Sequence, residues 1–152
     1  MKIELICTGS ESLTGKLNTN ASFIGQKLAL LGLDLSLITT VSDRKQELSE
    51  VLKLAKERSS VIIITGGLGP TFDDITVETV ADILKLKTYK DDNVIKSIAL
   101  YFEKRGIIPS QNNERQSYII KNAKVLENRF GTAPGEMLHF EYLKEDGKKI
   151  RK

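Results

Sequence analysis

The chain reads as an α/β protein: three layers, α/β/α, around a mostly parallel central sheet. Three observations predict this. Short apolar runs at residues 3–7, 33–41 and 61–64 alternate with stretches of helical apolar periodicity. Alternation of that kind buries a parallel sheet between helices on both faces, joined by right-handed crossovers. The first and third runs both end in Thr-Gly, at Thr8-Gly9 and Thr65-Gly66, and the second of these pairs opens a glycine-rich turn that leads into another helix.

Residues 3–7 form the first buried strand, followed by a polar loop over 10–19. Residues 20–31 place Ala21, Ile24, Leu28 and Leu31 on one helical face, and Gly32 is positioned to stop that helix. The second strand is 33–41. Asp43 and Gln46 have the spacing of a capping box for a helix to Arg58, striped by Leu48, Val51, Leu52 and Ala55. After the third strand, Val77, Val80, Ala81 and Leu84 stripe a helix within 75–86. Val94, Ile98 and Phe102 stripe another over 92–104, which Gly106 ends. The polar stretch 109–118 admits a short helix at 113–118. Residues 136–143 alternate like a strand, and Asp146-Gly147 is a hairpin turn signal. An apolar strand is expected beyond that turn, so the fold is read as lacking its last elements within these 152 residues.

One domain with a sizeable core fits this length. A 40 % hydrophobic and 28 % charged composition is that of a soluble globular protein, and no apolar run reaches the length of a membrane span. No signal peptide is visible after Met1-Lys2. Cys7 is alone, which excludes an internal disulfide, fits a cytoplasmic setting and reads as a buried strand residue. The net charge of +3 is carried by residues 144–152, a short basic tail with no interleaved aromatics, so nucleic-acid binding is not expected.

The richest segment is Thr65-Gly66-Gly67-Leu68-Gly69-Pro70-Thr71-Phe72-Asp73-Asp74. Glycines admit positive φ and close approach of a ligand, and N–H groups at a helix start favour phosphate. Two carboxylates beside a phosphate call for a divalent cation between them. The segment is neither a Walker loop, lacking Gly-Lys-Ser/Thr, nor a dinucleotide fingerprint, because Phe72 stands where the third glycine belongs. Strand carboxyl ends are where open parallel sheets bind ligands, which brings Gly9, Ser10 and Glu11 toward Gly66, Gly67 and Asp73. Asp73 is read as a ligand or metal residue. Asp74 reads equally as a metal ligand and as the helix N-cap. Glu11 reads as a third carboxylate or general base, or as a solvated loop residue. Glu78 is expected to be solvated, and His139, without partners, makes a zinc site improbable. The second glycine loop, 131–135, either presents Thr132 and backbone amides to a ligand or only joins two strands.

These residues resemble the N-terminal domain of the competence-damage-inducible protein CinA, within the wider MoaB/MogA-like molybdopterin-binding fold. The stretch 65–74 with Ile75, Thr76 and Glu78 is similar to the family hallmark. Three more stretches agree: Gly9-Ser10-Glu11-Ser12-Leu13 with Gly15 and 18–20, Val41-Ser42-Asp43, and Asn128 with 131–135. Ser10, Ser12, Ser42 and Arg44 depart from residues usual in the family. The family continues with an apolar strand and a Leu-Pro-Gly-x-Pro-x-Glu-Met loop, and many members carry a C-terminal deamidase domain. Neither is within this sequence, so no deamidase activity is expected and residues 1–152 are read as one domain.

The resemblance implies a small-molecule nucleotide or pterin phosphate, with no membrane partner and a homo-oligomer, dimer or trimer. It implies phosphate or ligand contacts at Gly9, Ser10, Thr65, Gly66, Gly67, Gly69, Thr71, Gly131 and Thr132. Asp73 and Asp74 would hold a divalent metal (Mg²⁺, Mn²⁺ or Co²⁺), with K⁺ as a further ion, and Glu11 would join them in catalysis. The leading expectation is metal-dependent hydrolysis of a nucleotide diphosphate of the ADP-ribose type. The alternatives are a module that binds molybdopterin or a nucleotide without turnover, and a structural domain that assembles oligomers.

Overall fold

A computed structural model describes residues 1–143 and 149–151. Strand β1 (Ile3–Thr8) is central in a parallel sheet of order β2–β1–β3, between β2 (Leu35–Val41) and β3 (Val61–Thr65). Every residue of β1 is buried, as a strand covered on both faces requires. Its even-numbered side carries Ile6 into a core with Val41 and with Leu48, Leu52 and Ala55 of α3 (Lys45–Arg58), against which Val80 of α4 (Thr76–Leu84) packs. The expected central parallel sheet is thus borne out. The predicted stripe on α3 is its buried face, and Cys7 is buried in its strand.

Some local expectations need correction. The loop at 10–19 contains a single helical turn, α1 (Ser10–Leu13), before α2 (Thr19–Ala29). Asn18 caps α2 by accepting from the Ala21 N–H at 2.9 Å. Ala21, Ile24 and Leu28 are half-buried, but Leu31 lies past the helix end, 73 % exposed, where Gly32 takes φ 70°. Asp43 does not cap α3: the N-cap is Arg44, and the Asp43 carboxylate accepts from the Ser10 N–H instead. Glu47 does the reaching back, accepting from the Ser42 hydroxyl at 2.6 Å.

The second half of the chain builds a smaller module. Asp91 caps α5 (Asp92–Glu103) through the N–H groups of Asn93 and Val94. Val94 and Ile98 of α5 pack on Ile119. Two strands too short to show an alternating pattern, β4 (Thr88–Lys90) and β5 (Tyr118–Ile120), pair antiparallel beside a 3₁₀ helix at Gln111–Ser117. Strand β6 (Lys124–Leu126) pairs with β7 (Gly135–Met137). The alternation over 136–143 is therefore two strands, not one: β7 and then β8 (Glu141–Leu143), which pairs with β9 (Lys149–Arg151). The Asp146-Gly147 turn signal lies outside the described residues.

Candidate functional site

The exits of β1 and β3 interlock. The Thr8 hydroxyl donates to the Thr65 carbonyl at 3.3 Å and lies 3.4 Å from the Thr76 hydroxyl, which donates to the Gly66 carbonyl at 2.9 Å. Gly66 (φ 93°) and Gly67 (φ 61°) turn left-handed here. A Cβ on Gly66 would sit 2.0 Å from the Thr8 carbonyl oxygen, and one on Gly67 would sit 2.5 Å from the Thr76 hydroxyl. Only glycine fits either place.

Beyond this knot the turn is closed by its own side chains. Asp74 accepts from the Thr71 N–H at 2.8 Å and from the Thr71 hydroxyl at 2.6 Å through the same oxygen. Asp74 is thus not the helix N-cap; that position is Ile75, and the Thr76 N–H donates to the Gly67 carbonyl. The carboxylate of Asp74 also occupies the space a side chain at Gly69 would need, 2.5 Å from its ideal Cβ. Gln116 fastens the turn from outside, donating to the Leu68 carbonyl at 3.3 Å while its own carbonyl accepts from Asn113. Asn113 in turn accepts from the Ser110 N–H, so a relay of amides ties the 3₁₀ helix to the turn. No acceptor is described for the N–H groups of Gly67, Leu68 and Gly69 among the described residues.

Gly67, Leu68 and Gly69 face a cavity of about 610 Å³. Its body is apolar, from Val77, Ala81, Leu86 and Pro134, and Lys87 and Arg115 stand on its walls. Glu78 and Asp82 line it too, but Lys45 reaches over from α3 to both, at 2.9 and 2.6 Å. Glu78 is therefore ion-paired at the surface and not merely solvated. Glu136 is part of the lining as well; burial pushes its carboxyl up, partly offset by the Ile120 N–H that it accepts at 2.8 Å.

The other expected residues are placed differently. Ser10 and Glu11 lie toward Asp43: Gly9 donates to the Val41 carbonyl, Ser10 donates to Asp43, and the Glu11 carboxylate folds back onto Gly9. Thr8, and not Ser10 or Glu11, makes the contact with the glycine turn. Thr65 ends β3, with its carbonyl held by Thr8. Gly131 and Thr132 belong to a turn organised by Asn128, which accepts from the Gly131 N–H and donates to the Ala133 carbonyl; Ala133 and Pro134, not Thr132, line the cavity. Asp73 is exposed, with no hydrogen bond or ion pair among the described residues. No group of three acidic, His or Cys side chains suited to a metal occurs among the described residues. Of the two carboxylates expected to hold a metal, Asp74 lines the cavity with one oxygen engaged by Thr71, and Asp73 lies outside the lining, so a hard cation there would need ligand oxygens to complete its shell.

The sequence did not single out Thr8, Arg115, Gln116 or Glu136. Thr8 was noted as half of the Thr8-Gly9 strand exit but not as a site residue. The other three come from segments whose place is set by long-range pairing.

Comparison with known proteins agrees with this architecture. A family model described as a probable molybdopterin binding domain matches residues 4–150. The chain is 59 % identical over 154 residues to a CinA-like protein of Endomicrobium trichonymphae, covering 100 % of this chain and 36 % of that protein. It spans about a third of the length of the curated relatives it matches. The crystal structure of the protein CinA, of unknown function, from Thermoplasma acidophilum superposes with TM-score 0.76 at 32 % identity, over 99 % of this chain and 85 % of that one. The molybdopterin biosynthesis enzyme MoaB of Thermus thermophilus shares the fold, with TM-score 0.52 at 17 % identity over 78 % of each chain.

Proposed function

Because this chain belongs to the probable molybdopterin binding domain family, as a domain of the CinA type, we propose that its cavity binds a phosphorylated pterin or nucleotide. The observation that carries this reading is that Gly67, Leu68 and Gly69, whose N–H groups have no acceptor among the described residues, line an apolar-bodied cavity. Such donors, fixed by the Thr8–Thr76 knot before any ligand arrives, bind an oxyanion without reorganisation. The apolar wall of Val77, Ala81, Leu86 and Pro134 suits a planar heterocycle. Binding of a molybdopterin-type phosphate is the reading that the family and the MoaB fold favour.

The unengaged carboxylate of Asp73, in the same turn as those amides though outside the cavity lining, favours a second reading, hydrolysis of a nucleotide diphosphate such as ADP-ribose. Asp73 and Asp74 would then hold a divalent cation against the ligand phosphates. A bound cation would neutralise the developing charge on the diphosphate and activate water. The protein's own part is to hold the diphosphate on the amides of residues 67–69.

Thermal stabilisation by a pterin phosphate and by ADP-ribose, with chromatographic assay of AMP and ribose 5-phosphate with and without Mg²⁺, Mn²⁺ or Co²⁺, tests both. Stabilisation without product supports binding alone. Metal-dependent product that Asp73→Asn abolishes supports hydrolysis, and full activity in that variant removes Asp73 from the reaction. Absence of both effects in the folded protein overturns the phosphate site.

A further inference from the structure

We propose that Arg115 gives the cavity its preference for a diphosphate over a monophosphate, taking one phosphoryl group while the amides of residues 67–69 take the other. The proposal rests on the phosphate-site reading above. Arg115 is in the last turn of the 3₁₀ helix, half-buried, and lines the same cavity as Gly67 and Gly69. Its position relative to the turn is fixed twice. The adjacent Gln116 is bonded to the Leu68 carbonyl, and the Arg115 guanidinium lies 5.1 Å from the centre of the Phe72 ring. Phe72 belongs to the turn itself, and Arg115 is half-buried and part of the cavity lining, so the stacked guanidinium is open to a ligand. Stacking leaves the planar N–H fork free to grip two phosphate oxygens.

Among the described residues no carboxylate partner is described for Arg115, or for Lys87 on the same lining, whereas Arg44, Lys45, Arg58 and Lys90 each have one. What sets Arg115 apart from Lys87 is the planar guanidinium held against Phe72 of the turn. The carboxylates that would repel an anion are largely taken up: Glu78 and Asp82 by Lys45, one oxygen of Asp74 by Thr71. Burial also favours the neutral form of Glu136. The cavity thus carries on one lining the guanidinium of Arg115 and the amides of residues 67–69, two kinds of site for negative oxygen, with the Lys87 ammonium as further positive charge. One phosphoryl group cannot fill both as well as two linked ones do.

Inorganic pyrophosphate and orthophosphate are suitable probes because neither depends on which base or pterin the site accepts. Each is titrated into the 152-residue chain, following backbone amide shifts, for wild type, Arg115→Ala and Arg115→Lys. Pyrophosphate is expected to bind at least about tenfold tighter than orthophosphate, with shifts at Gly67 and Gly69. Arg115→Ala loses that preference while keeping its melting temperature, and Arg115→Lys recovers only part of it. A preference that persists in Arg115→Ala, or that is absent from wild type while Gly67 and Gly69 still respond, overturns the role of Arg115 alone. No response of either amide to either anion overturns the phosphate site and this inference with it.

Discussion

The side-chain amide of Gln116 donates to the carbonyl of Leu68 across 48 residues of sequence, joining the 3₁₀ helix to the glycine turn. Gln116 is 8 % exposed and Leu68 half-buried, so this bond is largely shielded from solvent. Gln116→Leu keeps the volume but leaves the Leu68 carbonyl and the Asn113 amide unanswered. Losing a buried hydrogen bond in this way costs about 1–3 kcal/mol. Urea denaturation should show that loss, and ligand affinity should fall with it because the turn is less firmly placed.

Gly66→Ala should be far worse than Gly106→Ala. Both positions have positive φ, but only at Gly66 would the new methyl meet backbone, 2.0 Å from the Thr8 oxygen; at Gly106 it meets nothing within 4 Å. The Gly106 variant should lose about 1 kcal/mol from the left-handed backbone alone. The Gly66 variant must push β1 and β3 apart at their exits. Comparing the two by denaturation separates strain from collision; equal losses would refute the close packing of the two exits.

Thr79 carries the opposite expectation. It is fully buried on α4, and its hydroxyl has no partner among the described residues. Thr79→Val exchanges an unsatisfied polar group for a methyl of the same shape. The variant should be as stable as wild type or more so, by up to about 2 kcal/mol. A clear loss in a melting experiment would reveal a hydrogen bond that the hydroxyl makes.

Glu4 supplies a pH test. Burial raises its carboxyl, but hydrogen bonds from Arg58 (2.6 Å) and Ser59 (2.7 Å) and the Arg58 charge outweigh that, so its pKa lies below the ordinary value. A lowered folded-state pKa contributes stability that is present at neutral pH and lost as pH falls through the ordinary glutamate range and below. Arg58→Ala strands the carboxylate without its cation. Denaturation at neutral pH should show a clear loss of stability, moderated because Arg58 is 39 % exposed and water can reach its site. With the cation gone, burial dominates, and the gap to wild type should narrow on acidification as Glu4 takes up a proton.

Glu136→Gln tests the reverse sign. The folded-state carboxyl of Glu136 is raised, so its favourable contribution is complete below the ordinary glutamate range and is lost as pH rises past it. Gln keeps an oxygen for the Ile120 N–H and carries no charge. Thermal melts should therefore show the variant gaining on wild type at neutral pH and losing that gain in acid.

Elements with a strong local signal were legible in the sequence. The apolar stripes of Leu48, Leu52 and Ala55 and of Val94 and Ile98 were read directly, as was the glycine turn after β3. The strands β4, β5 and β6 were not, because three residues each give no alternating pattern and their pairing is long-range. Asp43 and Asp74 misled for one reason. Both stand where an N-cap is expected, but short side chains also bond to nearby loop N–H groups, and those of Ser10 and Thr71 were in reach. At the site, the amides of 67–69 could be anticipated from glycine content. Arg115 and Gln116 could not, since nothing local in an Asn- and Gln-rich stretch says which turn it will be laid against.

The knot between Thr8 and Thr65 spans 57 residues, and that separation orders events in time. A loop of that length must close before the contact returns anything, at an entropic cost that rises with the logarithm of its length. The glycine turn therefore comes into being with the docking of β3 on β1 and has no earlier form for a ligand to seize. An anion added during refolding should leave the folding rate alone and slow only the escape from the native state.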